Sequence, residues 1–400
     1  MKKLILLLFL LTISSTHSRE LELHSHAFMK KGMPLLFRGN FNGPLKAKSW
    51  KNLLSSKLNA KTLNKSGIKV FVVALYAHPL LVPNYKIPFR NWVRESIRNQ
   101  IKEARDFVKK DPNWVLATNP QMAEKAYLDG KKVMILSLEG AHSLLQTEKD
   151  LKEFIDELGI SIVTIVHLIN TEFGGASYMR GLRKTLFTTR IFARERFEGV
   201  KINSLGMTEK GKWLAQELIK RKVWIDLTHA SDHFIRDILP MLEKANQPLL
   251  FTHTALRKYY KAERGLSNWA IKKMKTLGGV VGLVPSEEML INTNVPKAHC
   301  PKTCKKCMGG IPALTTQYNE LANKIGNINI ALGSDFNGGI THLKPSKCAH
   351  LTDLDDKKGL WSAAQTPNIW KAMKMLGANL PKQSSASALQ FFNQWKKVRN

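Results

Sequence analysis

Eight strand-length apolar runs alternate with helix-length stretches along this 400-residue chain, and that alternation predicts an α/β fold, a (β/α)8 TIM barrel. Two further observations support it. The runs are nearly continuous, as in IKVFVVALYA at 68–77, which fits parallel strands buried on both faces. Six of them end in a His, Glu or Asp: 21–26 (LELHSH), 133–140 (VMILSLEG), 160–167 (ISIVTIVH), 223–229 (VWIDLTH), 248–253 (PLLFTH) and 328–338 (INIALGSDFNG). A buried strand has no use for an ionisable end. Six such ends imply one shared mouth where metal ligands converge.

In chain order the predicted strands are 21–26, 68–77, 133–140, 160–168, 223–230, 248–254, 279–285 and 328–335. Between them, apolar residues at helical spacing predict helices over 91–109, 119–129, 149–158, 207–222, 232–246, 268–277 and 316–325. The stretch 363–400 reads as two helices closing the barrel, with Pro367 near the first start and Pro381 between them. Three connections are long: 37–66, 170–202 and 286–312. Each follows a predicted strand, so each is expected on the active-site face.

Residues 1–18 (MKKLILLLFLLTISSTHS) have two lysines, an apolar run too short to span a bilayer, then small and polar residues. That order predicts a signal peptide cut near Ser18, an exported and most simply periplasmic protein, and one barrel domain over 19–400. No later run is long enough to span a membrane. The net charge is +31; loss of Lys2 and Lys3 lowers it by 2, to +29. Such a field favours anionic surfaces, and association with an anionic envelope is expected. The lysine runs at 272–275 and 396–399 lie in helical patterns without interleaved aromatics, which argues against specific nucleic-acid binding. Cys300, Cys304, Cys307 and Cys348 fit either two disulfides, as in exported proteins, or a structural zinc site with His299 or His350.

His24 and His26, two apart on a strand, share a face and suit a metal; an ordinary surface pair is the plainer alternative. Glu139 after an apolar strand needs a partner, either a metal or a nearby Lys or Arg. His229 and His253 end successive predicted strands in the same Thr-His dipeptide. Asp226, three residues before His229, is expected on the opposite strand face, as packing or support. Asp335 suits proton transfer, or a turn before Asn337-Gly338. His167, with Asn170 on the turn after it, ends strand four; a satisfied core histidine is the alternative. His142 falls in a loop and is expected to be supporting or simply polar.

In order along the chain, 139–143 (EGAHS), 167–170 (HLIN), 206–211 (GMTEKG), 226–229 (DLTH), 251–253 (FTH), Arg264 and 333–338 (GSDFNG) resemble the membrane (renal) dipeptidase family of zinc-dependent hydrolases, within the amidohydrolase-like barrels. The resemblance implies a barrel of the metal-dependent hydrolase type holding two divalent ions, zinc first, with manganese or iron as alternatives. It implies that His24 and His26 hold one ion, Glu139 bridges, and His229 and His253 hold the other. Asp335 would carry protons for a bridging hydroxide, and His167 would contact the substrate carbonyl or oxyanion. Arg264 would pair with the substrate carboxylate, and Asn170 would line the substrate site. The implied substrate is a small peptide with a free carboxylate; a homodimer is a further expectation. Three departures stand out: His26 replaces the family's usual Asp, Asn337 replaces a second Asp, and 286–307 looks unlike the family. They leave open a lactone, cyclic amide or phosphoester substrate, or an envelope-binding barrel with a vestigial site.

Overall fold

A computed structural model describes residues 19–29, 39–78, 91–179, 195–297, 308–346 and 358–399. The expected signal segment, all four cysteines, His299 and His350 lie outside the described residues. Among the described residues no helix is long and apolar enough to cross a membrane.

The strands are β1 (Leu21–Ser25), β2 (Val70–Leu75), β3 (Trp114–Leu116), β4 (Lys132–Glu139), β5 (Ile162–Thr164), β6 (Glu195–Phe197), β7 (Val200–Ile202), β8 (Trp224–Asp226), β9 (Leu249–Thr254), β10 (Gly279–Leu283) and β11 (Ile330–Leu332). The order β2-β1-β11-β10-β9-β8-β5-β4 is closed by β2 on β4, running Val70↔Val133 to Leu75↔Leu138. This is an eight-stranded parallel (β/α)8 barrel, made of the eight strands the sequence predicts. Two features were not foreseen. The short strand β3 lies beside the start of β4, and β6 and β7 form an antiparallel hairpin within the 170–202 connection. Three-residue strands carry too little pattern to be read.

The helices are α1 (Ala60–Lys65), α2 (Trp92–Lys110), α3 (Pro120–Leu128), α4 (Glu148–Leu151, continued as a π turn over Lys152–Glu157), α5 (Glu209–Lys220), α6 (Asp232–Lys244), α7 (Asn268–Leu277), α8 (Glu287–Leu290), α9 (Gly310–Ile325), α10 (Thr366–Met375) and α11 (Ala386–Arg399). Their starts follow local chemistry. Asn119, Thr208, Ser231 and Ser267 accept from the backbone N–H of Met122, Gly211, Phe234 and Ala270, capping α3, α5, α6 and α7. Helix α9 begins six residues before its predicted start. Pro312 sits in its first turn, where a missing N–H costs nothing.

Side chains alternate across each barrel strand. Phe71, Val73, Met134, Leu136, Val163, Ile225, Phe251 and Val281 pack outward with the helices. Val70, Val72, Val133, Ile135, Ile162, Trp224, Leu250, Val280 and Ala331 form a second cluster within the barrel. Helix α11 plugs that cluster with Ala388, Phe391, Phe392, Trp395 and Val398; the Trp224 and Phe391 rings are 5.3 Å apart. With this apolar floor filled, the polar inward residues are left to the C-terminal ends of the strands.

Candidate metal centre

Above the apolar floor the inward positions turn polar. Ser137, Thr164, Asp226 and Thr252, all buried, form one layer two residues beyond Ile135, Ile162, Trp224 and Leu250. The next layer holds Glu139 and the histidines. Strand β1 changes register between Glu22 and Ser25, and His24 and His26 both face the mouth. They are 0% and 2% exposed, so the surface-pair alternative fails.

Glu139 is the hub. Its Oε1 lies 3.3 Å from His24 Nε2, 3.4 Å from His229 Nε2, 3.5 Å from His253 Nε2 and 3.6 Å from His167 Nε2. Its Oε2 lies 3.3 Å from His26 Nε2, which in turn lies 3.2 Å from Asp335 Oδ1. The alternative of a Lys or Arg partner for Glu139 fails: among the described residues its ion-pair partners are all histidines. Burial opposes its charge, yet the surrounding histidines, His167 and His24 first, hold its carboxyl well below the usual range.

This donor set fits divalent cations. His24 and His26 bring their Nε2 atoms within 3.3 Å, and His229 and His253 within 3.0 Å. Burial pushes His229 and His253 well below the ordinary imidazole value, helped by the Arg264 charge, so each offers a lone pair. Two lone pairs pointed at each other are a poor contact unless a cation lies between them. Burial also disfavours charge on His26, but Asp335 and Glu139 raise it to about 10. An imidazolium held between two carboxylates sits where a metal ion would be welcome. Three overlapping trios have ligand atoms within 4.8 Å of one another: His24–Glu139–His253, His24–His26–Asp335 and Glu139–His167–His229. Nitrogen and carboxylate oxygen suit zinc, manganese or iron.

Two of these residues occupy left-handed backbone, rare for side chains other than glycine: His229 at φ 70° and Asp335 at φ 52°. The chain leaves β8 at Asp226, and the turned backbone brings His229 back into the mouth. Strand alternation therefore fails here. Asp226, expected on the face opposite His229, points into the barrel as well, beneath the histidines. Gly338 serves Asp335, since a Cβ there would meet Asp335 Oδ1 at 1.6 Å.

Arg264 is buried beside the site. Its Nη2 donates to the His253 carbonyl at 2.8 Å and lies 3.2 Å from His229 Nε2; its buried Nε has no protein partner. Asn170 lies at the base of the loop, its Oδ1 accepting from Ala176 N and Asn203 Nδ2. His142 stays outside the cluster and pairs with Glu172 at 2.6 Å. Asn337 ties the mouth together: its amide oxygen accepts from Lys57 N and Leu58 N, and its nitrogen donates to the His26 and Leu58 carbonyls.

Three neighbours were not foreseen. Tyr76, past the end of β2, packs its ring 4.8 Å from His167 and 6.2 Å from His26, and burial pushes its hydroxyl pKa up. Lys57, 1% exposed, donates to the Ile340 carbonyl and to His342 Nδ1, while His342 Nε2 donates to Ser334 O beside Asp335. Burial lowers the Lys57 pKa from 10.5 to about 8, with Asp335 opposing the shift. The sign follows. Below about 8 the folded protein carries the buried charge, and above about 10.5 neither state does. This residue's contribution to stability therefore rises with pH between those values, by on the order of 3 kcal/mol at most. Denaturant melts from pH 7.5 to 10.5 are expected to lose that rise in Lys57→Met.

The fold and this donor set define a barrel built to hold divalent cations at its mouth. The chain belongs to the membrane dipeptidase family, peptidase family M19, whose family model matches residues 29–372. That match begins after His24 and His26. Among curated relatives, Dipeptidase 3 of Mus musculus is 20% identical over 311 residues, covering 76% of this chain and 53% of the relative. Dipeptidase 3 of Macaca fascicularis is 23% identical over 208 residues, covering 52% and 36%. The chain thus spans about half or less of the length of these relatives. Two solved structures share the fold. The probable dipeptidase PvdM from Pseudomonas aeruginosa has a TM-score of 0.67 at 16% identity, covering 96% of each chain. A metallo peptidase from Rhodobacter sphaeroides, liganded with a phosphinate mimic of the dipeptide L-Ala-D-Ala, has a TM-score of 0.64 at 17% identity, covering 86% of this chain and 90% of that one.

Proposed function

We propose that this protein is a binuclear metallohydrolase that cleaves a dipeptide with a free carboxylate. The observation that carries the reading is five imidazole Nε2 atoms within 3.6 Å of one buried carboxylate, in a member of the membrane dipeptidase family. His24 and His26 would hold one ion, His229 and His253 the other, with Glu139 shared. When bound, two divalent ions, zinc first, supply an activated water and a polarised scissile carbonyl.

The remaining steps belong to side chains. His167 is neutral, its pKa lowered by burial to about 4, so its imidazole can donate to the developing oxyanion without carrying charge. Asp335 accepts the water proton at a carboxylate oxygen and passes it to the leaving amine. Arg264 presents an unpartnered Nε and would clamp the substrate carboxylate. Asn170 shapes the loop over that end. Arg264→Lys is expected to cut kcat/KM about 10–100-fold for free dipeptides, the worth of a charge-assisted hydrogen bond, and much less for C-terminally amidated ones. Equal losses for both substrates would remove Arg264 from carboxylate recognition.

The deciding experiment offers zinc- and manganese-loaded protein a panel of L,L and L,D dipeptides, lactones, cyclic amides and phosphotriesters. Turnover confined to dipeptides supports the reading. Turnover confined to the others, which the nitrogen-rich His24-Ser-His26 motif keeps in play, replaces it with an amidohydrolase activity of another specificity. Export through residues 1–18, and association of the exported chain with an anionic envelope through the remaining net positive charge, belong to the same proposal.

A further inference from the structure

The polar layer under the histidines carries an inference beyond the ligand set. Asp226 Oδ1 accepts from the backbone N–H of Thr228 at 3.0 Å and of Thr252 at 3.0 Å, and from the Thr228 hydroxyl at 2.6 Å. Its Oδ2 accepts from the hydroxyls of Thr164 at 2.6 Å and Thr252 at 2.7 Å. The carboxylate thus takes the Thr252 proton. What remains on Thr252 Oγ1 is two lone pairs, and two imidazole nitrogens face them: His253 Nδ1 at 3.1 Å and His24 Nδ1 at 3.3 Å. Each must carry its proton on Nδ1 to make that contact, which leaves each Nε2 a free lone pair aimed at Glu139. The two rings lie 3.8 Å apart at 37° over the one hydroxyl.

We propose that Asp226 and Thr252 form one relay that fixes the tautomer and ring orientation of His24 and His253 together, so that a single hydroxyl prepares ligands for both ions. Thr252 and Asp226 are positioning residues and touch neither substrate nor metal. The relay predicts coupling, with loss of the hydroxyl weakening both ions rather than one. His26 and His229 receive no such support among the described residues; His26 Nδ1 is buried without a partner.

The inference rests on the two-ion reading, and the test separates the two. Wild-type protein, Thr252→Val and Thr252→Ser are stripped, then titrated with zinc against a chelator, and cobalt-loaded samples are followed by visible absorption. Wild type is expected to take two ions. Thr252→Val keeps the shape, loses the hydroxyl, and is expected to bind both ions about 10–100-fold more weakly, with an altered cobalt spectrum. Thr252→Ser is expected to restore affinity and spectrum. Fewer than two ions in wild type defeats the two-ion reading itself. Two ions in wild type and unchanged affinity in Thr252→Val overturn the relay, as does weakening of one ion alone. Should Thr252→Val not fold, Asp226→Asn, which replaces one acceptor with a donor, is read in the same titration. Failure of both variants to fold contradicts the proposal in favour of a purely structural network.

Discussion

Glu139→Gln is expected to abolish turnover, by about 10³-fold or more, and to strip the protein of at least one of two ions. Among the described residues the carboxylate is the one group whose oxygens face all five imidazoles, at 3.3–3.6 Å. An amide keeps the volume but offers one acceptor oxygen and an NH2 donor that would point at lone pairs. It cannot neutralise two cations or bridge them. Removing one charge from a buried cation site costs several kcal/mol, and each 1.36 kcal/mol is tenfold in rate. Metal analysis and dipeptide hydrolysis on the same sample check it. Full metal content with full activity in Glu139→Gln would remove the bridging role.

Asp335→Asn is expected to divide the two functions that Glu139→Gln merges. Asp335 touches His26 at 3.2 Å, at the edge of the cluster, on strained backbone at φ 52°. If its work is proton transfer, the amide loses that capacity while His24, His26, Glu139, His229 and His253 keep their ions. Turnover should then fall about 10²–10⁴-fold in kcat with KM and metal content near wild type. Loss of metal in step with activity would make Asp335 chiefly a ligand, as its place in the His24–His26 trio allows.

Much of this was legible because barrel strands write themselves plainly. Continuous runs such as 133–138 admit few other folds, and their ionisable ends mark the mouth. The residues that escaped did so for physical reasons. Tyr76 follows a β-branched run and looks like more core. Lys57 is one of 62 basic residues, and nothing local shows that its head is buried against His342. Asp226 shares the inward face with His229 because alternation holds only while the chain stays extended, and β8 ends at that residue. His229 and Asp335 could be nominated as site residues, but the left-handed backbone that turns them inward has no sequence mark when the residue is not glycine. Asn337, at the position where the family has an aspartate, ties the 57–58 segment to His26, just past β1, through four hydrogen bonds.

The proposed chemistry requires two ions that share Glu139. The most direct measurement is metal stoichiometry of the purified wild-type protein paired with dipeptide hydrolysis through a cycle of chelation and reloading. Two divalent ions per chain, activity lost on chelation and recovered fully only at the second equivalent, is the predicted result. One ion restoring full activity, or turnover that survives complete removal of metal, would contradict it.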